Sequence, residues 1–436
     1  MKRVLVVSPG FPPTSAPDLH RVRTSLPHFA SFGWCPYVLA IDARRYGGLQ
    51  EPELISTVPS DIPVIRTSAL PAGLTRLVGI GNPGLRALGQ LYRAGLRIIA
   101  RESIDLVYFS TTMFPVMALG RLWKARLGTP YIVDLQDPWK TDYRGAGRRR
   151  GVKAAAARVM HGVLEPFAMR RADGVVAVSA AYVETLRQRY PWLSEDACAV
   201  IPFAASPADF TAARAIRWTN PLFDRNDGRI HAVAVGRGGR DMRAAADLLF
   251  GALRLLQDRG TPIPPPHLWF IGTDYSAARG EQTIAPAAEI AGVTASVTES
   301  PARVPYLDAL RFLLDSHFTL ILGSDDASYS PSKVYPYLLA GKPFVAVLHA
   351  DSPVAPLLRN AGTGIVATFR PELDEPLAAA RLADQLGHLL TSRMAEAQVP
   401  PALLAPLGPR ELTRRQCHVF DVVVHHHEVE GVPCAG

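Results

Sequence analysis

The sequence predicts an α/β protein built from two doubly wound parallel-sheet domains, and three observations predict it. Short runs that are apolar on both faces alternate with longer helical patterns, the signature of buried parallel strands and their crossover helices. A looser stretch rich in Pro, Ala and Asp, 202–228, breaks that rhythm in mid-chain. The 436 residues, 48% hydrophobic and 20% charged, suffice for two ordinary cores.

The strands of the first half are RVLVVS (3–8), PYVLAI (36–41), DLVYFS (105–110), PYIVDL (130–135) and GVVAVS (174–179), with amphipathic helices such as 113–126 and 152–171 between them. After the break come strand 230–236, helix 242–258, strand 267–272, helix 306–316, strand 318–323, helix 332–340, strand 343–348 and helix 353–360. Val334, Tyr337 and Leu338 stand at i, i+3 and i+4, so the helix 332–340 has a face to bury. The stretch 409–427 reads as a last helix. The domains are expected at 1–210, 211–405 and 406–436.

Four cysteines lie far apart with no C-x-x-C spacing, which excludes a disulfide framework or a cysteine zinc site and points to a reducing cytosol. The apolar run Val4–Val7 is too short for a signal peptide, and no stretch reaches the length of a membrane span. The net charge of +8 suits an anionic partner. No nucleic-acid module is present, so a small anion is the better match than nucleic acid. The near lack of acids among Lys140, Arg144, Arg148, Arg149, Arg150, Lys153, Arg158, Arg170 and Arg171 reads either as a solvated face or as contact with an anionic membrane. His425, His426 and His427 are consecutive, so on a helix they diverge and make no metal cluster.

Ligands of such sheets bind beyond the carboxyl ends of the strands, so chemistry is sought in the loops there. In SPGFPPTSAPDLHRVR (8–23), Gly10 allows close backbone approach, and Asp18 can cap a helix carrying His20, Arg21 and Arg23. The loop reads equally as a plain turn, and it lacks the G-x-G-x-x-G of a dinucleotide site. In VDLQDPWKTDY (133–143), Asp137 sits just past the strand beside Trp139. It can meet a sugar hydroxyl, act as a base or simply cap a helix. In VGRGGRDM (235–242), Arg237, Gly238 and Arg240 follow a strand, and guanidinium forks match diphosphate oxygens. In SYSPSKVYPYLLAGKP (328–343), Ser332 and Lys333 stand at a helix start, which suits phosphate.

With these motifs in this order, the chain resembles a GT-B glycosyltransferase of family 4 type, of bacterial polysaccharide synthesis. VLVVSPGFPP, YIVDLQDPW, ADGVVAVSAAY, VGRGG, WFIGTDY and PSKVYPYLLAGKP carry the resemblance over nearly the whole length. It implies two Rossmann-like domains facing across a cleft. A UDP- or GDP-sugar donor would be held mainly by the second domain, a glycan or lipid-linked acceptor mainly by the first. It further implies a hexosyltransferase that retains anomeric configuration, needs neither metal nor cofactor, and works in the cytoplasm, at the inner face of the membrane if the basic stretch meets lipid. The last helix would cross back onto the first domain.

Carried over position by position, Gly10 falls in the loop beside the donor phosphate and acceptor, and Arg237 matches the arginine on the diphosphate. Arg240 is the nearest substitute for the lysine that usually follows. Ser332, Lys333 and Gly238 complete the expected donor site, His20, Arg21 and Trp139 the acceptor site, and Asp137 the catalytic position. Two departures stand out. The usual His-Asp strand end is here Gln136 and Asp137, and the Glu-x7-Glu positions hold Ser328 and Pro336, with Asp325 and Asp326 near the first. A catalytically silent sugar or nucleotide binder and a sugar-nucleotide epimerase are therefore the alternatives.

Overall fold

The computed structural model describes residues 1–77, 79–139, 152–260, 265–274, 280–327, 329, 334–371, 376–392 and 398–430. The chain divides into two compact units, Met1–Ala204 with Leu407–Gly436, and Ala205–Pro406.

The first unit is built on β1 (Lys2–Val7), β2 (Trp34–Ile41), β3 (Val64–Thr67), β4 (Leu106–Ser110), β5 (Tyr131–Leu135), β6 (Gly174–Ala177) and β7 (Cys198–Val200). They form one parallel sheet in the order β3-β2-β1-β4-β5-β6-β7. Successive side chains of a strand point to opposite faces, and both faces of this sheet are covered. Leu5, Val7, Val107 and Phe109 enter one core, Val4, Val6, Leu106 and Tyr108 the other, all fully buried. This is why the central strands read as unbroken apolar runs: each such side chain contributes roughly 1.5–3 kcal/mol whichever way it points.

The second core is closed by the helix Pro409–Glu430. Its Phe420 packs 5.9 Å from Phe29, 5.3 Å from Trp34 and 5.0 Å from Tyr108, ring centroid to centroid. On the other face lies the helix Pro83–Arg101, opened by Asn82, whose side chain accepts from the Leu85 amide. Its Gly95 lets the helix Phe114–Leu127 close in, because a β-carbon there would stand 2.1 Å from the Trp123 ring. Gly95→Ala is therefore expected to destabilise by about 1–3 kcal/mol through overpacking. That outweighs the roughly 1 kcal/mol that alanine gains in a helix, and a lowered denaturant midpoint checks it.

The second unit carries β8 (His231–Val235), β9 (His267–Ile271), β10 (Val297–Ser300), β11 (Phe318–Leu322), β12 (Phe344–His349) and β13 (Gly364–Phe369). Their order is β10-β9-β8-β11-β12-β13, again all parallel. The four strands that the apolar runs do not announce, β3, β7, β10 and β13, are the four sheet edges. Edge strands pair on one side only and tolerate polar residues, as VIRT and VTES show.

Candidate functional site

In the second unit β8 ends at Val235 and the chain turns through Gly236, whose φ of 107° demands glycine. This delivers Arg237 to the strand end. Its two terminal nitrogens donate to the two carboxylate oxygens of Asp241, at 2.9 and 2.6 Å. The Tyr329 ring lies over the guanidinium at 5.2 Å. Burial pulls the Arg237 pKa down, but Asp241 and Tyr329 more than offset this and hold it above the ordinary arginine value. Burial likewise opposes Asp241 ionisation, and Arg237 reverses that, so the Asp241 carboxyl stays below its usual range. The cation at this strand end is permanent and its fork is oriented.

Gly238 packs against the neighbouring loop, its amide donating to the Thr273 carbonyl, and a β-carbon there would meet Thr283 Oγ1 at 2.7 Å. That loop is held by buried Glu299 of β10. Its carboxylate accepts from Thr273 Oγ1 at 2.6 Å and from the amides of Thr283, Ile284 and Ala285 at 3.0, 2.9 and 2.7 Å. Arg240 stands apart. Its side chain is 91% exposed and reaches Glu281 only at 3.7 Å, so no contact among the described residues aims it at the Arg237 position. Ser332 and Lys333 lie outside the described residues, as does Ser328.

The helix Val334–Leu339 buries Val334, Tyr337 and Leu338 as their spacing requires. Tyr337 Oη accepts from the Val235 amide at 2.6 Å and donates to the Val235 carbonyl at 3.2 Å, which fixes this helix to the end of β8. Pro336 lies within this helix. Asp325 and Asp326 are exposed, and the Asp325 amide donates to the Asp241 carbonyl at 2.7 Å. The cavity lined by Arg237, Gly238, Thr273, Tyr329 and Tyr337 is about 40 Å³, small beside the roughly 300–1,000 Å³ of sites that enclose a ligand.

In the first unit the polar residues at the ends of β1, β4 and β5 form one buried network. Asp134 is fully buried and accepts from Ser110 Oγ at 2.7 Å and Gln136 Nε2 at 3.2 Å, with Arg21 Nε at 2.8 Å. Arg21 donates onward to the carbonyls of Ile201 and Pro202, at 2.6 and 3.3 Å. Asp18 makes no side-chain cap on the helix Leu19–Ser25. Its carboxylate instead accepts from Thr111 Oγ1 at 2.9 Å and the Thr112 amide at 2.8 Å, because those groups at the end of β4 would otherwise be buried unpaired. Burial raises its pKa, against those hydrogen bonds.

Asp137, one residue past Gln136, is exposed. The surrounding protein raises its pKa above the ordinary aspartate value, and the Asp18 charge adds to this. It keeps its proton to higher pH than a free aspartate, which suits acid–base work. Other expected positions have structural tasks. Arg21 is committed to the buried pair with Asp134, which takes its guanidinium away from solvent. Trp139 is 6% exposed, stacks 5.2 Å from Phe114 and donates to His161 Nδ1 at 3.1 Å, so its ring is core. The space freed at Gly10 is taken by Ala16 and Tyr46, each with an atom 2.8 Å from where a β-carbon would be. His20 is half-buried, its Nδ1 3.1 Å from Arg23. On the outer helix His426 lies 3.3 Å from Asp196.

Sequence reasoning missed Asp241, Tyr329 and Glu299. The i, i+4 spacing of Arg237 and Asp241 was a readable signal for the first. Nothing local marks the other two.

Residues 21–204 match the family described as Glycosyl transferase 4-like domain. No curated protein matches the chain. Among solved structures, Anabaena HepE in complex with UDP and glucose is similar with a TM-score of 0.58 at 15% identity, covering 97% of this chain and 100% of that one. A UDP-forming alpha, alpha-trehalose-phosphate synthase from Burkholderia xenovorans is similar at 0.56 and 14% identity, covering 98% and 100%. UDP-GlcNAc 2-epimerase from Methanocaldococcus jannaschii gives 0.51 and 11%, covering 97% and 100%. At these identities the likeness is one of fold, the GT-B pair of α/β units.

Proposed function

We propose, from the premise that this is a glycosyltransferase of GT-B fold with a Glycosyl transferase 4-like domain over 21–204, that it moves a hexose from a UDP- or GDP-sugar to a glycan or lipid-linked acceptor. The unit Ala205–Pro406 holds the donor and the unit Met1–Ala204 the acceptor. The observation that carries this reading is the Arg237 fork, held at the end of β8 by Asp241 and Tyr329. A fixed cation there stabilises the charge that develops on a leaving diphosphate with no nucleophile and no metal. Arg240, Ser332 and Lys333 are the flanking donor contacts, Gly238 gives the backbone its close approach, and the anomeric configuration is retained. Asp325 or Asp326 takes the ribose in place of the acidic pair that Ser328 and Pro336 have replaced.

On the acceptor side Asp137 meets the attacking hydroxyl, and His20 is a further acceptor contact. Arg21 and Trp139 position the strand-end loops, and Gly10 keeps the first loop close-packed. No described helix is long and apolar enough to cross a membrane. Leu70, Leu74 and Leu77 are 50%, 66% and 85% exposed beside Arg76, which supports peripheral contact with an anionic lipid surface at the cytoplasmic face.

A melting panel of UDP, GDP and ADP tests the donor half of this reading. One base is expected to raise the melting midpoint, since a ligand at about a hundred times its dissociation constant stabilises by roughly 2.7 kcal/mol. No shift with any of them would contradict it.

A further inference from the structure

A cavity of about 490 Å³ lies in the first unit where β1, β2 and β3 end. It is lined by Pro13, Asp42, Arg44, Gly47, Gly48 and Arg66, among others. Its volume falls in the range of sites that enclose a small ligand. Gly47 and Gly48 both have φ of 81° and nothing within 4 Å of where a side chain would stand, so one wall is bare backbone that a ligand can approach.

The charge of this pocket is one-sided. Asp42 is its only acid, and Oδ1 of that side chain already accepts from the Arg44 amide at 2.9 Å. Arg44 has no ion pair among the described residues, and Arg66 donates to the Pro12 carbonyl through one terminal nitrogen, leaving the rest of its fork. Partial burial lowers the Arg66 pKa and Asp42 only partly offsets it. Arg86, 5% exposed, is tied to the segment between Arg44 and Gly47 of this wall: it donates to the carbonyls of Arg45 and Tyr46 at 2.8 and 3.1 Å, and to that of Leu70 at 2.9 Å, and meets no carboxylate among the described residues. A buried guanidinium satisfied only by carbonyls has no counter-charge beside it to cancel its field.

We infer that this pocket binds a phosphate ester, held by the guanidinium groups of Arg44 and Arg66 and drawn by the field of Arg86. Two planar donor forks, with a third cation tied to the same wall, match a dianionic phosphate better than a single carboxylate. Resting on the glycosyl-transfer reading, the ester is the anionic end of the acceptor, in either a soluble sugar phosphate or a lipid headgroup. The pocket is joined to the first strand-end loop through Pro13, and Tyr46 of the adjoining helix touches Gly10 in that same loop.

The test is calorimetric titration of the full chain with glucose 1-phosphate, glucose and UDP, with co-sedimentation on phosphatidylcholine vesicles made with and without phosphatidic acid. Glucose 1-phosphate, the phosphatidic acid vesicles or both are expected to bind, whereas glucose alone does not. Arg44→Ala and Arg66→Ala should each weaken phosphate binding by about tenfold, the worth of one charge-assisted contact, with Arg66→Lys losing less. Unchanged melting shows that each variant is folded. Loss of vesicle binding in the double variant assigns the ester to lipid, and loss of glucose 1-phosphate binding alone assigns it to a soluble acceptor. Failure of both phosphate probes to bind, or binding that survives the double variant, overturns the inference. UDP binding in the same samples separates the two readings: phosphate binding without any nucleotide binding keeps the pocket and removes the transferase assignment, and the converse does the reverse.

Discussion

Arg237→Ala is expected to weaken binding of the nucleoside diphosphate by about ten- to a hundredfold, with the second unit still folded. The range follows from the roughly 1.5–3 kcal/mol of a hydrogen bond to a charged group, at about 1.4 kcal/mol per factor of ten. The side chain is partly exposed and its only described carboxylate partner is Asp241, itself a third exposed, so little folding energy goes with it. Arg237→Lys keeps the charge and loses the fork, and should fall between wild type and alanine. Titration calorimetry with the nucleotide that raises the melting point reads all three proteins. Equal affinity in wild type and Arg237→Ala would remove this arginine from the donor site.

Asp134→Ala should have the largest effect on stability, about 3–5 kcal/mol, because it strands the Arg21 guanidinium in the interior. Both side chains are buried, at 3% and 0% exposure, so water cannot replace the lost partner. A domain holds only about 5–15 kcal/mol in all, so the first unit should unfold at a much lower denaturant concentration. By contrast Arg243→Ala breaks a pair with Asp247 that is nearly half exposed on both sides, and should change stability by less than about 1 kcal/mol. Equal midpoints for the two variants would show that the network at the ends of β1, β4 and β5 carries no structural weight. The network also explains why an arginine suited to an acceptor contact is unavailable for one.

The central strands were legible because both faces are covered, so the local pattern and the tertiary burial agree. The edge strands β3, β7, β10 and β13 were not, since half of each one's environment is set by what lies beside it in the sheet. At the site, the glycine turn after β8 and Arg237 could be read from a stretch of eight residues. Glu299 could not: it is 26 residues from Thr273 and 14 from Ala285, and only the fold brings its carboxylate to both. Trp139 misled for the opposite reason. It was expected among the acceptor contacts, but Phe114 and His161 claim both its ring and its nitrogen. Pro336 was legible as a departure from the resembled pattern, and it lies inside the helix Val334–Leu339.

The most direct measurement follows free nucleoside diphosphate and labelled sugar together, using the sugar nucleotide whose diphosphate stabilises the chain, with and without a phosphate-bearing acceptor. Glycosyl transfer predicts that nucleoside diphosphate appears in step with label on the acceptor, and that Arg237→Ala abolishes both. Release of nucleoside diphosphate at the same rate without acceptor, with the label in an epimerised free sugar, would contradict transfer and favour epimerase chemistry.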